Sequence, residues 1–167
     1  MRVLFILIGF LWSSQLMAQD NNPAPQEPPY KRFPNVPPYE LLGTDSTRYT
    51  KADLGKKPVL LMYFSPTCDH CIQQMADMNK YWKQLETYQI VLATYEPMED
   101  LAQFIKRFGL DQHSNIIAGR DEKFMLPGFF AMRSLPYLAL YDKKGALITT
   151  FEGTTKMEKV LEGFGKK

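Results

Sequence analysis

The chain holds only two cysteines, Cys68 and Cys71, set as Cys-x-x-Cys between an apolar run and a helical pattern. The run, residues 59–64 (Val-Leu-Leu-Met-Tyr-Phe), is apolar on both faces, as a central strand covered on each side by helices is. After the pair, Ile72, Met75, Met78, Trp82 and Leu85 recur at spacings of three and four, so the helix that follows buries one stripe against the sheet. A helix starting near Cys68 aims its unsatisfied backbone N–H groups and the positive end of its dipole at the first sulfur. That favours thiolate, the attacking species in disulfide exchange. Cys71, one turn further in, lies on the same side of the helix and can reach Cys68 to close a disulfide.

Two plainer uses of the pair compete with a redox role. A structural disulfide across so short a loop constrains the unfolded chain little, so it would add little stability. A structural zinc site needs four ligands, and the only imidazoles are His70, inside the pair, and His113, in a polar stretch after a predicted helix. Neither a metal nor another cofactor is expected.

At the N-terminus, Met1 and Arg2 precede an apolar run at residues 3–12, too short to span a bilayer and suited to the core of a secretory signal. Residues 1–18 read as that signal, with cleavage after Ala18 and an uncleaved short anchor as the alternative, since Leu16 is not a small residue. Export places the protein where disulfides persist, in the periplasm. Residues 19–38 are polar and carry seven prolines (Pro23, Pro25, Pro28, Pro29, Pro34, Pro37 and Pro38), so an extended arm or linker is expected there, with Tyr30 and Phe33 packing near its end.

Residues 39–167 suffice for one domain with a good core. A net charge of +2 without basic clusters gives no support to nucleic-acid binding. Residues 39–50 read as a small hairpin around Gly43-Thr44-Asp45-Ser46, and residues 89–95 as a second apolar strand ended by Glu96-Pro97. Glu96, at that strand end, is a candidate proton acceptor for the buried cysteine. Leu101, Phe104, Ile105 and Phe108 mark a helix stopped by Gly109, and residues 115–118 a short strand. In residues 121–131, Pro127-Gly128 interrupts any single helix, and four apolar residues (Phe124, Met125, Phe129, Phe130) form either a buried lid or a protein-binding patch. A second hairpin turns at Asp142-Lys-Lys-Gly145, and a last helix carries a Thr155-x-x-Glu158 capping box with Met157, Val160, Leu161 and Phe164 as its buried stripe. Parallel strands joined by helices and finished by an antiparallel hairpin give an α/β fold, a central mixed sheet flanked by helices, with an N-terminal β-hairpin extension.

From about Phe33 to Phe164 the chain resembles the exported thioredoxin-like proteins of TlpA/ResA type. The resemblance rests on the hairpin before Asp53-Leu-Gly-Lys-Lys-Pro-Val-Leu-Leu, the strand into Cys68-x-x-Cys71, Phe104-Ile-Lys-Arg-Phe-Gly-Leu, Leu135-Pro136 ahead of a hairpin, and Gly153 before the last helix. It implies the thioredoxin fold and thiol–disulfide exchange with protein dithiol or disulfide substrates, more in the direction of reduction, fed by a membrane electron-transfer partner. It implies Cys68 as nucleophile, Cys71 as resolving thiol, and Pro136 as a cis-proline beside the sulfurs, exposing backbone groups of Leu135 to an extended substrate. Two departures stand out. Thr67 occupies the place of the family's tryptophan, and Met62 that of the buried aspartate of thioredoxin, which leaves Glu96 or solvent for the proton. Between the cysteines, a protonated His70 stabilises the thiolate and makes the site more oxidising, while Asp69 opposes it. The peroxiredoxin motif is not met, because Leu61 stands where its proline belongs. A non-catalytic binding module and a copper-delivery protein using His113 are the alternatives.

Overall fold

In a computed structural model, residues 27–165 are described; the expected signal and the first part of the arm, residues 19–26, lie outside them. A seven-stranded mixed sheet has the order β2-β1-β5-β4-β3-β6-β7. β3 (Val59–Tyr63) is an inner strand, parallel to β4 (Gln89–Thr94) and antiparallel to β6 (Tyr137–Tyr141). β5 (Ile116–Arg120) runs parallel to β4, and β7 (Leu147–Glu152) closes the other edge against β6. The hairpin of β1 (Glu40–Leu42) and β2 (Arg48–Thr50) extends the sheet beyond β5, to which β1 pairs antiparallel. This is the expected thioredoxin topology with its N-terminal strand pair.

Both faces of β3 are buried along its whole length, which is why its sequence does not alternate. On one face Leu60, Met62 and Phe64 pack with Cys71, Met75 and Met78 of α2 (Asp69–Asn79), Leu101 and Phe104 of α4 (Met98–Phe108), and Met157 and Val160 of α6 (Met157–Gly165). On the other, Leu61 and Tyr63 join Tyr39, Tyr137, Tyr141, Leu126 and Phe130, with Leu126 and Phe130 supplied by α5 (Met125–Phe130). The hydroxyls of Tyr39, Tyr63 and Tyr141 are buried without a hydrogen-bond partner.

Three local expectations are corrected. The helix after the cysteines does not run on to Leu85: it ends at Asn79, and Trp82–Leu85 form a separate turn, α3. The backbone tightens there to three-residue hydrogen bonds, Lys80 N to Asp77 O and Tyr81 N to Met78 O, while Met75, Met78 and Leu85 all remain fully buried. Pro127-Gly128 does not break α5, because Pro127 lies in its first turn, where no intrahelical N–H bond is required. The carboxylate of Asp121 accepts the N–H groups of Met125 (3.1 Å) and Leu126 (2.9 Å). The Thr155-x-x-Glu158 capping box does not form. α6 starts at Met157, whose N–H donates to Asp77 Oδ2 at 3.0 Å, Thr155 Oγ1 donates to Gly153 O, and Glu158 accepts from the Tyr81 hydroxyl.

Of the arm, Pro29–Arg32 form one helical turn, α1. Tyr30 packs on Phe130 with ring centroids 5.9 Å apart, whereas Phe33 is exposed. Further on, Val36 N donates to Gly145 O and Leu147 N to Pro34 O, seating residues 34–36 on the β6–β7 turn. Gly145, at φ 81°, gives that turn the left-handed residue it requires.

Candidate active site

β3 delivers the chain to the carboxyl edge of the sheet, and residues 64–67 lead from there into α2. Cys68 is the N-cap residue of α2: its carbonyl accepts Ile72 N–H at 2.9 Å, its own N–H donates to Ser65 O at 3.2 Å, and no side chain caps the first turn. Its sulfur is half-buried at the helix start, where backbone N–H groups point outward and negative charge is stabilised. Cys71, one turn on, is fully buried, and both cysteines are free thiols. Burial pushes the Cys71 thiol up to about 12; a backbone hydrogen bond with Ser65 opposes the shift and the adjacent Cys68 side chain adds to it. The pair is therefore asymmetric, with one accessible sulfur and one that is held protonated.

The surroundings of Cys71 are apolar. Met62, Phe64, Met75 and Met78 belong to the same buried cluster. Glu96 stands just past β4, its N–H bonded to Thr94 Oγ1 at 3.2 Å. Its carboxylate adds to an upward shift of the Tyr63 hydroxyl that burial dominates. Thr67 is exposed, with Oγ1 3.3 Å from Ser65 Oγ. Asp69 and His70 occupy the first turn of α2, both exposed to solvent.

The antiparallel register of β6 on β3, Tyr137 opposite Tyr63, brings Leu135 and Pro136 to the same edge as residues 64–68. The Leu135–Pro136 peptide bond is cis, and Leu135 and Cys68 pack against the same core cluster. His113 is elsewhere. It precedes β5 at the opposite edge of the sheet and stacks on Trp82, 4.5 Å between ring centroids. Among the described residues, no group of three or more His, Cys, Asp and Glu side chains is gathered as a metal site would be.

Gln74, not singled out in the sequence, is fully buried on the Cys71 side of α2. Its Oε1 accepts Thr155 N–H at 2.7 Å and its Nε2 lies 3.5 Å from Met157 Sδ. With Asp77 on Met157 N–H and His70 O accepting Thr154 Oγ1 at 3.4 Å, it stitches the β7–α6 connection to α2. Gly153, in that connection, donates to Pro136 O at 2.8 Å. The only signal in the sequence was a polar side chain at an apolar helix position.

The family model for the thioredoxin-like domain matches residues 47–165. Among solved structures, a secreted disulfide oxidoreductase of Mycobacterium tuberculosis, described as homologous to DsbE of E. coli, is similar at 13% identity with a TM-score of 0.64, covering 77% of this chain and 95% of that one. The pneumococcal exposed lipoprotein thioredoxin Etrx1 of Streptococcus pneumoniae is 23% identical with a TM-score of 0.60, covering 76% and 97%. StoA of Bacillus subtilis is 15% identical with a TM-score of 0.58, covering 78% and 98%. No curated protein sequence matches the chain at a significant level.

Proposed function

Since the chain belongs to the thioredoxin-like family, we propose that it is an exported thiol–disulfide oxidoreductase that reduces disulfides of protein substrates through Cys68 and Cys71. The observation that carries the reading is the asymmetry of the pair: an accessible sulfur at the start of α2 beside a fully buried thiol. Cys68 thiolate attacks a substrate disulfide, forming a mixed disulfide and expelling one substrate thiolate, which takes up a proton. Cys71 then loses its proton and attacks the Cys68 sulfur, closing Cys68–Cys71 and releasing the second substrate thiol. Two electrons pass from the pair to the substrate. With Met62 in the apolar cluster around Cys71, we assign the departing proton to a solvent route.

Leu135 and Pro136 line the edge where substrate backbone approaches Cys68, and Thr67 leaves that approach less apolar than a tryptophan would. Asp69 opposes the pull of His70 toward oxidation, both side chains lying exposed in the first turn of α2. Continued reduction requires electrons from a membrane partner. The apolar run at residues 3–12 supports export by a signal spanning residues 1–18, with residues 19–38 as the arm and 39–167 as the catalytic domain; among the described residues no helix is long and apolar enough to cross a membrane.

The reduction potential, measured in glutathione buffers with thiol alkylation as readout, tests this. A value near or below about −270 mV is expected for a reductase. A value of about −120 to −180 mV would reverse the direction, and absence of any reversible Cys68–Cys71 disulfide would overturn the reading.

A further inference from the structure

Among the described residues only three large apolar side chains are exposed: Phe33 (57%), Phe124 (54%) and Tyr95 (44%). The last two form a single feature. Their rings meet edge to face with centroids 5.2 Å apart, a favourable aromatic geometry. Both are held in place from the backbone. Arg120 Nε donates to Tyr95 O at 3.2 Å, and Phe124 N–H donates to Asp121 O at 3.0 Å. Phe124 adopts φ 49° and ψ 37°, a left-handed conformation that a bulky side chain rarely takes. The neighbouring Phe130 is buried, so this stretch hides one ring and presents another.

The sheet puts the pair beside the redox loop. β3 and β4 run parallel and end together, Tyr63 registered with Ala93 and Phe64 N–H donating to Ala93 O, so the loop into Cys68 and the residues after Thr94 leave the sheet at the same carboxyl edge. On the far side Asp121 N–H donates to Thr94 O at 2.7 Å, which aligns the Asp121–Phe124 segment with Tyr95. Cys68, Tyr95 and Phe124 therefore follow one another along the carboxyl edge. Glu96, directly after Tyr95, and Glu99 and Asp100, in the first turn of α4, put three carboxylates on the segment that follows the Tyr95 ring, and the Arg120 guanidinium bonded to Tyr95 O offsets one of them. Glu122 and Lys123 contribute little to the local field, being paired with Arg48 and Glu40 at 3.1 and 3.5 Å.

We propose that Tyr95 and Phe124 form a docking platform for the protein substrate, receiving an apolar side chain near the exchanging cysteine while Glu96, Glu99 and Asp100 attract adjacent Lys or Arg residues. The platform deepens the oxidoreductase reading and rests on it for the identity of its occupant. Rings held in fixed geometry bind with little ordering cost, and the acidic rim selects the sign of the flanking charge.

The test uses the Cys68→Ser protein, which cannot form a mixed disulfide, and a fluorescein-labelled peptide Gly-Lys-Phe-Ser-Arg-Gly, in which serine replaces the substrate cysteine. Fluorescence anisotropy should show saturable binding that weakens at least about tenfold when the peptide phenylalanine becomes alanine, and likewise when Lys and Arg become Glu. Adding Phe124→Gly, which removes the ring and suits the left-handed backbone, should weaken binding by a similar factor, as should Tyr95→Ala, with a thermal melt confirming that each variant is folded. No binding at millimolar protein, equal binding of the alanine peptide, or unchanged affinity in both folded variants would overturn the platform. In parallel, the unsubstituted protein is mixed with oxidised glutathione. Failure to exchange there, with peptide binding and its loss in the variants intact, would sink the oxidoreductase reading and leave the platform standing.

Discussion

The two faces of the central sheet are buried equally well and chemically unlike. The face under α2, α4 and α6 is aliphatic and sulfur-rich, and the one titratable group embedded in it is the Cys71 thiol. The face under α1 and α5 is built around Tyr39, Tyr63, Tyr137 and Tyr141. Alternation along β3 makes the division: Leu60, Met62 and Phe64 turn to the redox face, Leu61 and Tyr63 to the other. The redox face concentrates its chemistry in one proton, whereas the tyrosine face holds several hydroxyls that can release theirs only at high pH. On the proposed function one face serves the reaction, and the other sets the alkaline limit of the fold.

The largest expected effect comes from the redox face. Cys68→Ser should abolish reduction of insulin by dithiothreitol-coupled turnover, and Cys71→Ser should leave a mixed disulfide on Cys68 that is visible as a mass increase. Retained turnover in Cys68→Ser would erase the distinction between the faces.

Next is the alkaline limit. Burial raises the hydroxyl pKa values of Tyr39, Tyr63 and Tyr141, and that of Tyr137 to about 12. In the unfolded chain tyrosines ionise near about 10, while these remain neutral in the native state, so above pH ~10 the unfolded chain holds fewer protons and stability falls with rising pH. The stabilisation is complete below that pH and is lost as pH rises toward the native values. The slope should approach about 1.4 kcal/mol per pH unit for each such tyrosine. Urea melts between pH 8 and 11 measure it; a flat profile would mean that water reaches these hydroxyls in the native state.

The smallest effect sharpens the same contrast. Because the Tyr141 hydroxyl is buried without a partner, Tyr141→Phe should be neutral or stabilising by up to about 1 kcal/mol at pH 7, and it should reduce the alkaline slope. A loss of more than about 1 kcal/mol in the melt would show that the hydroxyl is bonded after all.

Much of this division could be read from residue order. The unbroken apolar run of β3, the three-and-four spacing after Cys71, and Gly109 with its left-handed φ of 61° fixed a strand, a helix and a helix end by local rules. The placement of the Cys68–Cys71 pair at a helix start was equally legible, since its position between strand and helix is itself local. What could not be read depends on partners distant in the chain. Thr155 and Glu158 look like a helix start, yet Asp77, 80 residues earlier, takes the first N–H of α6. Pro127 looks like a breaker until the helix start at Met125 shows it to be in the first turn. The place of Tyr95 at the same sheet edge as the loop into Cys68 follows from β4 pairing with β3, and no property of the Tyr95 neighbourhood alone announces it.

The four hydrogen bonds that tie α2 to residues 154–157, at the His70 carbonyl, both ends of the Gln74 amide and Asp77, also bear on how such a chain can recombine. A crossover anywhere between residues 78 and 153 inherits the cysteines from one parent and Thr154, Thr155 and Met157 from the other. Such a chimera keeps the Cys-x-x-Cys motif intact and still lodges a buried Gln74 against a stranger's loop. In a shuffled library, functional recombinants should therefore carry the redox helix and the C-terminal helix from the same parent, as linked markers separated by most of a domain.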